Sequence, residues 1–293
     1  MSETETKSIN GRQKRPGDIA LYVIIGFFTL LVAALTVFFA GYIAVRGFGG
    51  ISLRFLTTAP NPIMGTIGIL PSIINTAYIV VLSLLIAVPV GVGGAVYINE
   101  YARNARFVRI IEFTTETLSG IPSIIFGVFG YEFFCVILQL KVSLISGALT
   151  LTLMVLPAII RTTQEALKAV PRSYREGAAG LGAGKWYAVR TIILPGAAGG
   201  IASSVILSVG RIVGESAALL LVAGGSAMYL PKGNFINQIG SSGSTLAVEL
   251  YRYAYSRGEN EIGFAIGAIL LIIVIGLNLA VKAVGKRFGK GKV

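Results

Sequence analysis

The chain lacks several residue types on which enzymes commonly depend. It has 293 residues, with no histidine and a single cysteine, Cys135. One cysteine cannot close an internal disulfide, and without histidine there is no Cys/His zinc site, no histidine-ligated haem, no histidine general base and no Ser-His-Asp triad. Charged residues are scarce as well, at 13% of the chain against about 25% in an average soluble domain. These absences exclude most familiar catalytic machinery and argue against a soluble protein.

Apolar residues dominate instead. They make up 54% of the chain and form long uncharged runs. Runs above about 18 residues indicate burial in a bilayer, and this composition excludes disorder and coiled coil. We predict an all-α integral membrane protein with about six transmembrane helices in the transmembrane domain 19–281. The predicted spans are 19–45, 71–98, 113–140, 142–160, 191–222 and 262–281.

The positions of lysine and arginine predict the orientation. Eighteen of the 25 lie on one side, in the segments 1–18, 99–112, 161–190 and 282–293. Cytoplasmic loops carry the excess of these residues, so we expect the N-terminal tail 1–18, the basic tail 282–293 and the segment 161–190 in the cytoplasm beside a plasma (inner) membrane. Most of the net charge of +12 then serves to set the orientation of the chain in the membrane. No basic stripe interleaved with aromatic residues indicates nucleic-acid binding.

Two of the spans allow another interpretation or an irregular shape. The first run could be a secretory signal peptide, but it is about twice as long as the ~7 to 15 apolar residues of such a peptide and no small-residue cleavage site follows. We therefore interpret it as a span. The second run contains Pro89 and three nearby glycines, and we expect it to bend near its cytoplasmic end.

The segment 161–190 is too charged for the membrane and predicts a surface helix-turn-helix. Pro171 suits a first helical turn, Glu176 favours the positive end of the helix dipole, and Gly182 can end the helix with a chain reversal. Its glycines and lysine do not form a phosphate-binding P-loop. The first glycine of that motif, the Ser or Thr after its lysine and a preceding strand are all missing. The chain therefore has no recognisable ATP site of its own.

The same segment is similar to the coupling loop of ABC-importer permeases. Their pattern is Glu-Ala-Ala, three residues, Gly, nine residues, Ile, one residue and Leu-Pro. Every spacing holds here, with one glycine in place of the first alanine, which costs a helix up to about 1 kcal/mol. A generic amphipathic loop is the alternative. The resemblance implies a MetI-like permease fold. It also implies that a set of residues in this segment couples the permease to a separate ATPase: Glu176, Gly177, Ala178, Gly182, Ile192, Leu194 and Pro195.

Further motifs resemble the PstA-type permeases of phosphate importers, over about residues 55–280. They are Leu118-Ser-Gly120-Ile-Pro122-Ser123-Ile-Ile-Phe-Gly127, Tyr97-Ile-Asn-Glu100-Tyr101-Ala102, and the segments at Pro60-Asn-Pro62 and Thr245. PstC-type permeases share several of these motifs, and the last two segments favour PstA. Gly120 and Pro122 should interrupt a span, and the half-helix from Ser123 would present N–H groups to an anion. The alternative is a kink that serves helix packing alone.

Arg211 and Glu215 are the other candidates for the substrate pathway. They lie four residues apart in an apolar run, which places them on one face of a helix. An arginine there is costly unless it is paired or hydrated. At ~1.5 Å per residue from Pro195, Arg211 stands about 24 Å along the helix, towards the outer half of the membrane. The segment resembles one shared by permeases for phosphate, sulfate and molybdate. We interpret Arg211 as a cation on an oxyanion pathway, and a structural ion pair with Glu215 is the alternative.

The resemblance implies a non-enzymatic permease subunit of an ATP-driven importer of inorganic phosphate. It implies three partners besides membrane lipid: a PstC-like second permease, a PstB-like ATPase dimer that binds ATP and Mg²⁺, and a PstS-like extracytoplasmic phosphate-binding protein. No cofactor and no metal are expected in this chain. The nearer alternative is a permease for sulfate, molybdate or tungstate. The remoter ones are an ion-coupled secondary carrier, which needs no spaced coupling loop, and a membrane hydrolase, whose paired base and nucleophile are missing.

Overall fold

The computed structural model describes residues 16–61, 65–225 and 239–289. All six predicted spans lie inside these residues. The predicted tail 1–18 lies outside them except for its last three positions, and so do the last four residues of the predicted tail 282–293. Pro62, beside the Pro60 segment, also lies outside.

The described residues are almost entirely helical, and their only extended pairing is an isolated bridge between Asn61 and Thr66. Twelve helices are named here in chain order: α1 Pro16–Phe48, α2 Leu53–Thr57, α3 Leu70–Val96, α4 Ala105–Ser119, α5 Ser123–Gly130, α6 Leu144–Ala169, α7 Arg172–Gly180, α8 Lys185–Ala188, α9 Leu194–Gly214, α10 Ala217–Val222, α11 Leu246–Tyr251 and α12 Asn260–Gly289. Wider π-helical turns follow α3, α5, α8 and α11, at Tyr97–Tyr101, Tyr131–Ile137, Val189–Ile193 and Arg252–Ser256.

Five helical stretches are long and apolar enough to cross a membrane. They are Ile19–Phe48, Leu70–Tyr101, Leu144–Ala169, Lys185–Gly214 and Asn260–Gly285. Two further helical pieces, Ala105–Ser119 and Ser123–Ile137, meet at a bend of 103° and make up to six crossings in all if they form one span. The prediction of about six transmembrane helices is confirmed. The third span, expected from 113 to 140 as one run with an interruption, is thus a sharply broken pair.

Several helices extend beyond the apolar runs that predicted them. α6 continues to Ala169 and the next spanning stretch begins at Lys185, so the connection between these two spans, which contains α7, is shorter than the predicted 161–190. α12 likewise continues through Lys282 to Gly289, into the predicted tail. Helical hydrogen bonding does not stop at the edge of a membrane, and charged side chains outside it remain hydrated or paired. α3 also continues through Pro89, and its irregular turn comes later, after Val96.

The long helices alternate so that α1 begins and α12 ends at the same end of the bundle. α1 and α12 are antiparallel, because Gly47 packs against Phe264 and Ala268. α12 and α9 are antiparallel as well, since Gly285 near the end of α12 meets Ala202 near the start of α9. The connection that contains α7 joins α6 to α9 at this same end, which we call the loop end.

α6 is the central helix and packs against α3, α4, α5 and α9. Two hydroxyl groups join it to α3. Ser83 donates to the carbonyl of Ala148 at 3.1 Å, and Thr152 donates to the carbonyl of Ser83 at 3.3 Å. Such bonds satisfy polar groups where no water is present. The main core lies between α3, α6, α9 and α10, and its members include Ile79, Leu151, Met154, Val155, Ile212 and Leu219.

Candidate functional site

α7 is the surface helix that the coupling pattern predicts. Pro171 stands just before it rather than within its first turn. Gly182 follows it with φ +75°, a left-handed conformation that glycine adopts without strain. The N–H groups of Gly182 and Ala183 donate to the carbonyls of Ala179 and Ala178 at 3.0 and 2.9 Å, which closes the helix. The chain reversal expected at Gly182 is confirmed.

The other residues of the coupling pattern divide between α7 and the next span. Glu176 and Gly177 lie on the exposed side of α7, whereas Ala178 of the same helix is buried. The remaining three stand at the start of the span: Ile192 in the π-helical turn, and Leu194 and Pro195 at the beginning of α9. Proline has no N–H to donate, so a regular helical ladder cannot be completed there. The residues of the coupling pattern therefore lie both on a surface helix and at the irregular start of a membrane helix.

Large apolar side chains are exposed on and next to α7 and α8. We call them the loop surface: Tyr174, Leu181, Trp186 and Tyr187. Leu181 is 90% exposed. Charged residues surround these side chains in the sequence, which places the segment in water rather than in hydrocarbon. An apolar patch rimmed by charge in water is typical of a surface that contacts another protein.

One buried ion pair at the loop end was not predicted from the sequence. The side chain of Glu100, in the π-helical turn after α3, is 8% exposed and lies 3.0 Å from Arg175 Nη2 of α7. Arg175 also donates to the carbonyls of Leu167 and Val170 at the end of α6, both at 2.8 Å. The available signal was an acidic residue at the end of an apolar run, with an arginine in the loop that faces it.

The predicted break at Gly120 and Pro122 is present. α4 ends at Ser119, and α5 begins at Ser123, which is half-buried and follows Pro122 with φ −57° and ψ 139°. The break redirects α5 towards α10. Gly127 of α5 packs so closely on α10 that a β-carbon there would lie 2.7 Å from the Cα of Ala218. Close packing thus accounts for one glycine of this motif.

Arg211 and Glu215 do not share the helix face that their spacing predicts, and the alternative ion pair between them is not formed either. α9 ends at Gly214, and Glu215 is extended, with φ −77° and ψ 121°. Its carboxylate accepts a hydrogen bond from the N–H of Ala218 at 3.1 Å and so caps α10. Arg211 is half-buried and has no ion-pair partner among the residues that the structure describes. Four-residue spacing places two side chains on one face only while the helix continues, and α9 ends between these two.

The two segments that the sequence predicts for the substrate pathway do meet, through α5 and α10. α5 starts at the break after Pro122, and α10 starts at the cap that Glu215 provides. Their contact at Gly127 and Ala218 places both helix starts in one packed unit beside the core. Arg211 belongs to the last turn of the neighbouring helix α9.

Comparison with known proteins places the chain in a family. Residues 87–290 match the family described as binding-protein-dependent transport system inner membrane component. The probable ABC transporter permease protein YqgI of Bacillus subtilis (strain 168) is 34% identical over 274 residues, which cover 89% of this chain and 92% of that relative. The phosphate transport system permease protein PstA of Haemophilus influenzae is 33% identical over 259 residues, covering 88% of this chain and 87% of that relative.

Solved structures agree on the fold. A chain of a bacterial alginate ABC transporter, determined in complex with an alginate-bound periplasmic protein, superposes with a TM-score of 0.63 at 16% identity. The match covers 94% of this chain and 95% of the transporter chain. The predicted all-α permease fold is confirmed. This chain belongs to the family of binding-protein-dependent transport system inner membrane components, the multi-pass permeases of ABC importers.

Proposed function

We propose that this chain is the PstA-like permease subunit of an ATP-driven importer of inorganic phosphate and forms one half of the translocation pathway. A PstC-like permease supplies the other half. A PstB-like ATPase dimer, which binds ATP and Mg²⁺, docks on the loop surface. A PstS-like binding protein delivers phosphate from outside. In this arrangement the chain itself hydrolyses nothing.

The loop surface is the observation that carries this proposal. It presents Tyr174 of α7, Leu181 just after it, and Trp186 and Tyr187 of α8 as exposed apolar side chains, in a segment whose spacing matches the coupling pattern. Closure of the ATPase dimer displaces α7, and the displacement rocks the spans so that the pathway opens to alternate sides. Both termini and α7 then lie in the cytoplasm, in agreement with the 18 lysines and arginines predicted on that side.

Two observations support phosphate as the substrate. The relative from Haemophilus influenzae is named for phosphate transport. In addition, Arg211 is a half-buried cation whose charge no described carboxylate neutralises, and a positive potential in an apolar wall attracts an oxyanion. Gly120, Pro122 and Ser123 are proposed to line the same route, with the start of α5 directed at the anion. Sulfate, molybdate or tungstate would satisfy the second observation equally well.

Uptake by the reconstituted importer tests the proposal. The chain is assembled in proteoliposomes with its PstC-, PstB- and PstS-like partners, and ATP is supplied on the side of α7. We expect ATP-dependent uptake of radiolabelled phosphate that excess sulfate or molybdate does not inhibit. Inhibition by sulfate at equal concentration would assign the chain to another oxyanion. Uptake without ATP, driven by an ion gradient, would identify a secondary carrier instead.

A further inference from the structure

Both ends of the coupling loop contact the same short turn, the π-helical segment Tyr97–Tyr101 after α3. At one end, Arg175 of α7 lies 3.0 Å from the Glu100 carboxylate. At the other end, the Lys185 ammonium at the start of α8 lies 5.1 Å from the centre of the Tyr101 ring, within cation–π range. Two consecutive residues of one turn thus receive cations from both sides of the loop.

Apart from these contacts, α7 is weakly attached to the rest of the described chain. Ala178 is its one buried residue within the described part of the chain. Gly177 and Gly180 border open space, where an added β-carbon would meet nothing within 4 Å. A helix with so little apolar burial cannot transmit a displacement through packing alone. The polar contacts of Arg175 must therefore supply most of its attachment.

The guanidinium of Arg175 joins three elements at once. It binds the Glu100 carboxylate, and it donates to the carbonyls of Leu167 and Val170 at the end of α6. These carbonyls lie at the negative end of the α6 dipole, where a cation is favoured. Asn99 Nδ2 donates to the same carboxylate oxygen at 2.7 Å and holds it in place. A lysine could not reproduce this set of bonds, because only the planar guanidinium offers five donors in fixed directions.

We propose that the turn Tyr97–Tyr101 is the seat of the coupling loop and that Glu100 and Arg175 are positioning residues for energy coupling. When the ATPase displaces α7, this pair transmits the displacement to the ends of α3 and α6, which pack side by side over much of their length. Without the pair, α7 moves against the spans instead of with them. This inference rests on the proposed coupling function and names the residues that carry it.

The test uses the assembled importer with Glu100→Gln and, separately, Arg175→Lys. Glu100→Gln keeps the shape of the side chain and removes its charge. ATP hydrolysis should remain near the native rate, whereas the phosphate imported per ATP hydrolysed should fall about tenfold, since hydrogen bonds to charged groups contribute enough for such a factor. An unchanged ratio of phosphate to ATP in both variants would overturn the inference. Equal losses of uptake, ATPase activity and assembly would also overturn it, because they would show a purely structural brace.

The matched control is Glu112→Gln. Glu112 pairs with Lys168 at 3.4 Å, also at the loop end, but both side chains are about half exposed and neither belongs to α7. Exposed ion pairs contribute little, so this variant should keep the native ratio of phosphate to ATP. A loss equal to that of Glu100→Gln would show that any charge lost at the loop end has the same effect, and would refute the specific role.

A distance measurement separates this inference from the identity of the substrate. On a Cys135→Ser background, spin labels are placed at the exposed positions Ser173 on α7 and Arg103 beside the turn. With the pair intact, the label-to-label distance should stay narrow with and without ATP. In Glu100→Gln it should broaden when ATP is added. A narrow distance distribution in Glu100→Gln would contradict the role of the turn Tyr97–Tyr101 in coupling, even if phosphate is the substrate. A broad distribution would support that role even if phosphate is not the substrate.

Discussion

Gly182 is a position in the coupling loop where the backbone conformation strongly favours glycine. Its φ of +75° suits glycine, and open space surrounds it, so a side chain there meets conformational strain rather than a clash. Left-handed backbone costs other residues about 1 to 2 kcal/mol, and β-branched residues suffer most. Gly182→Val should therefore weaken ATPase binding about tenfold and lower phosphate uptake with it.

Titration of the ATPase onto the reconstituted permease checks this prediction. Gly180→Ala is the matched control, because Gly180 ends α7 in open space and lacks a positive φ. It should bind the ATPase normally. Gly182→Asn should fall between the two, since asparagine tolerates the left-handed region. Native binding and uptake by Gly182→Val would refute the assigned role of the loop.

Arg211 is the residue on which the pathway proposal depends. Because it forms no ion pair with a described residue and Glu215 caps α10 instead, removal of the glutamate charge should not compensate for removal of the arginine. Arg211→Gln, alone or together with Glu215→Gln, should assemble and hydrolyse ATP but import less than about a tenth of the native phosphate. Robust uptake by the assembled double variant would show that phosphate transport does not need the charge of Arg211.

At the scale of elements, the contact between α5 and α10 makes a prediction about stability. A β-carbon on Gly127 would lie 2.7 Å from the Cα of Ala218, and neither backbone can yield easily. Overpacking of this kind costs about 1 to 3 kcal/mol. Gly127→Ala should lower the melting temperature of the purified permease in detergent. Gly93→Ala is the control, since nothing lies within 4 Å of its site on α3. Equal melting temperatures of the two variants would contradict the close packing.

The positions of the spans could be predicted from the sequence, whereas the exact helix ends and the sharp bend could not. Apolar runs located every span, because a helix in hydrocarbon needs an uncharged surface along its whole length. They could not locate the helix ends beyond the membrane, as at Ala169 and Lys185, where no change of hydropathy marks the end. Nor could they give the 103° bend, which depends on how α5 packs against α10 as well as on Gly120 and Pro122.

The candidate site was predictable where it is local and not where it depends on distant contacts. The turn at Gly182 followed from residue types alone, since glycine after a helix predicts a left-handed end. Glu100 and Arg175 are 75 residues apart in sequence, and only the folded bundle brings them together. The expectation that Arg211 and Glu215 share one helix face was wrong, because spacing does not reveal that the helix ends at Gly214.

At the scale of the whole molecule, the distribution of lysine and arginine predicts that both termini and α7 lie on the cytoplasmic side. On a Cys135→Ser background, new cysteines at the exposed positions Ser173 and Ser242 lie at opposite ends of the bundle, on α7 and shortly before α11. An impermeant thiol reagent should label Ser242→Cys from outside intact cells and Ser173→Cys only after permeabilisation. Labelling of both from the same side would contradict this topology.

The central claim, that a separate ATPase docks on the loop surface, is tested most directly by the affinity of that ATPase for Leu181→Asp. Leu181 is 90% exposed in the isolated chain, so its replacement should leave the melting temperature of the permease unchanged. Buried in a docked complex, an unpaired aspartate would be costly, and ATPase binding should weaken by about tenfold or more. Leu53→Asp, at a 78% exposed residue of α2 at the opposite end, should bind the ATPase like the native permease. Native affinity in Leu181→Asp would contradict the account.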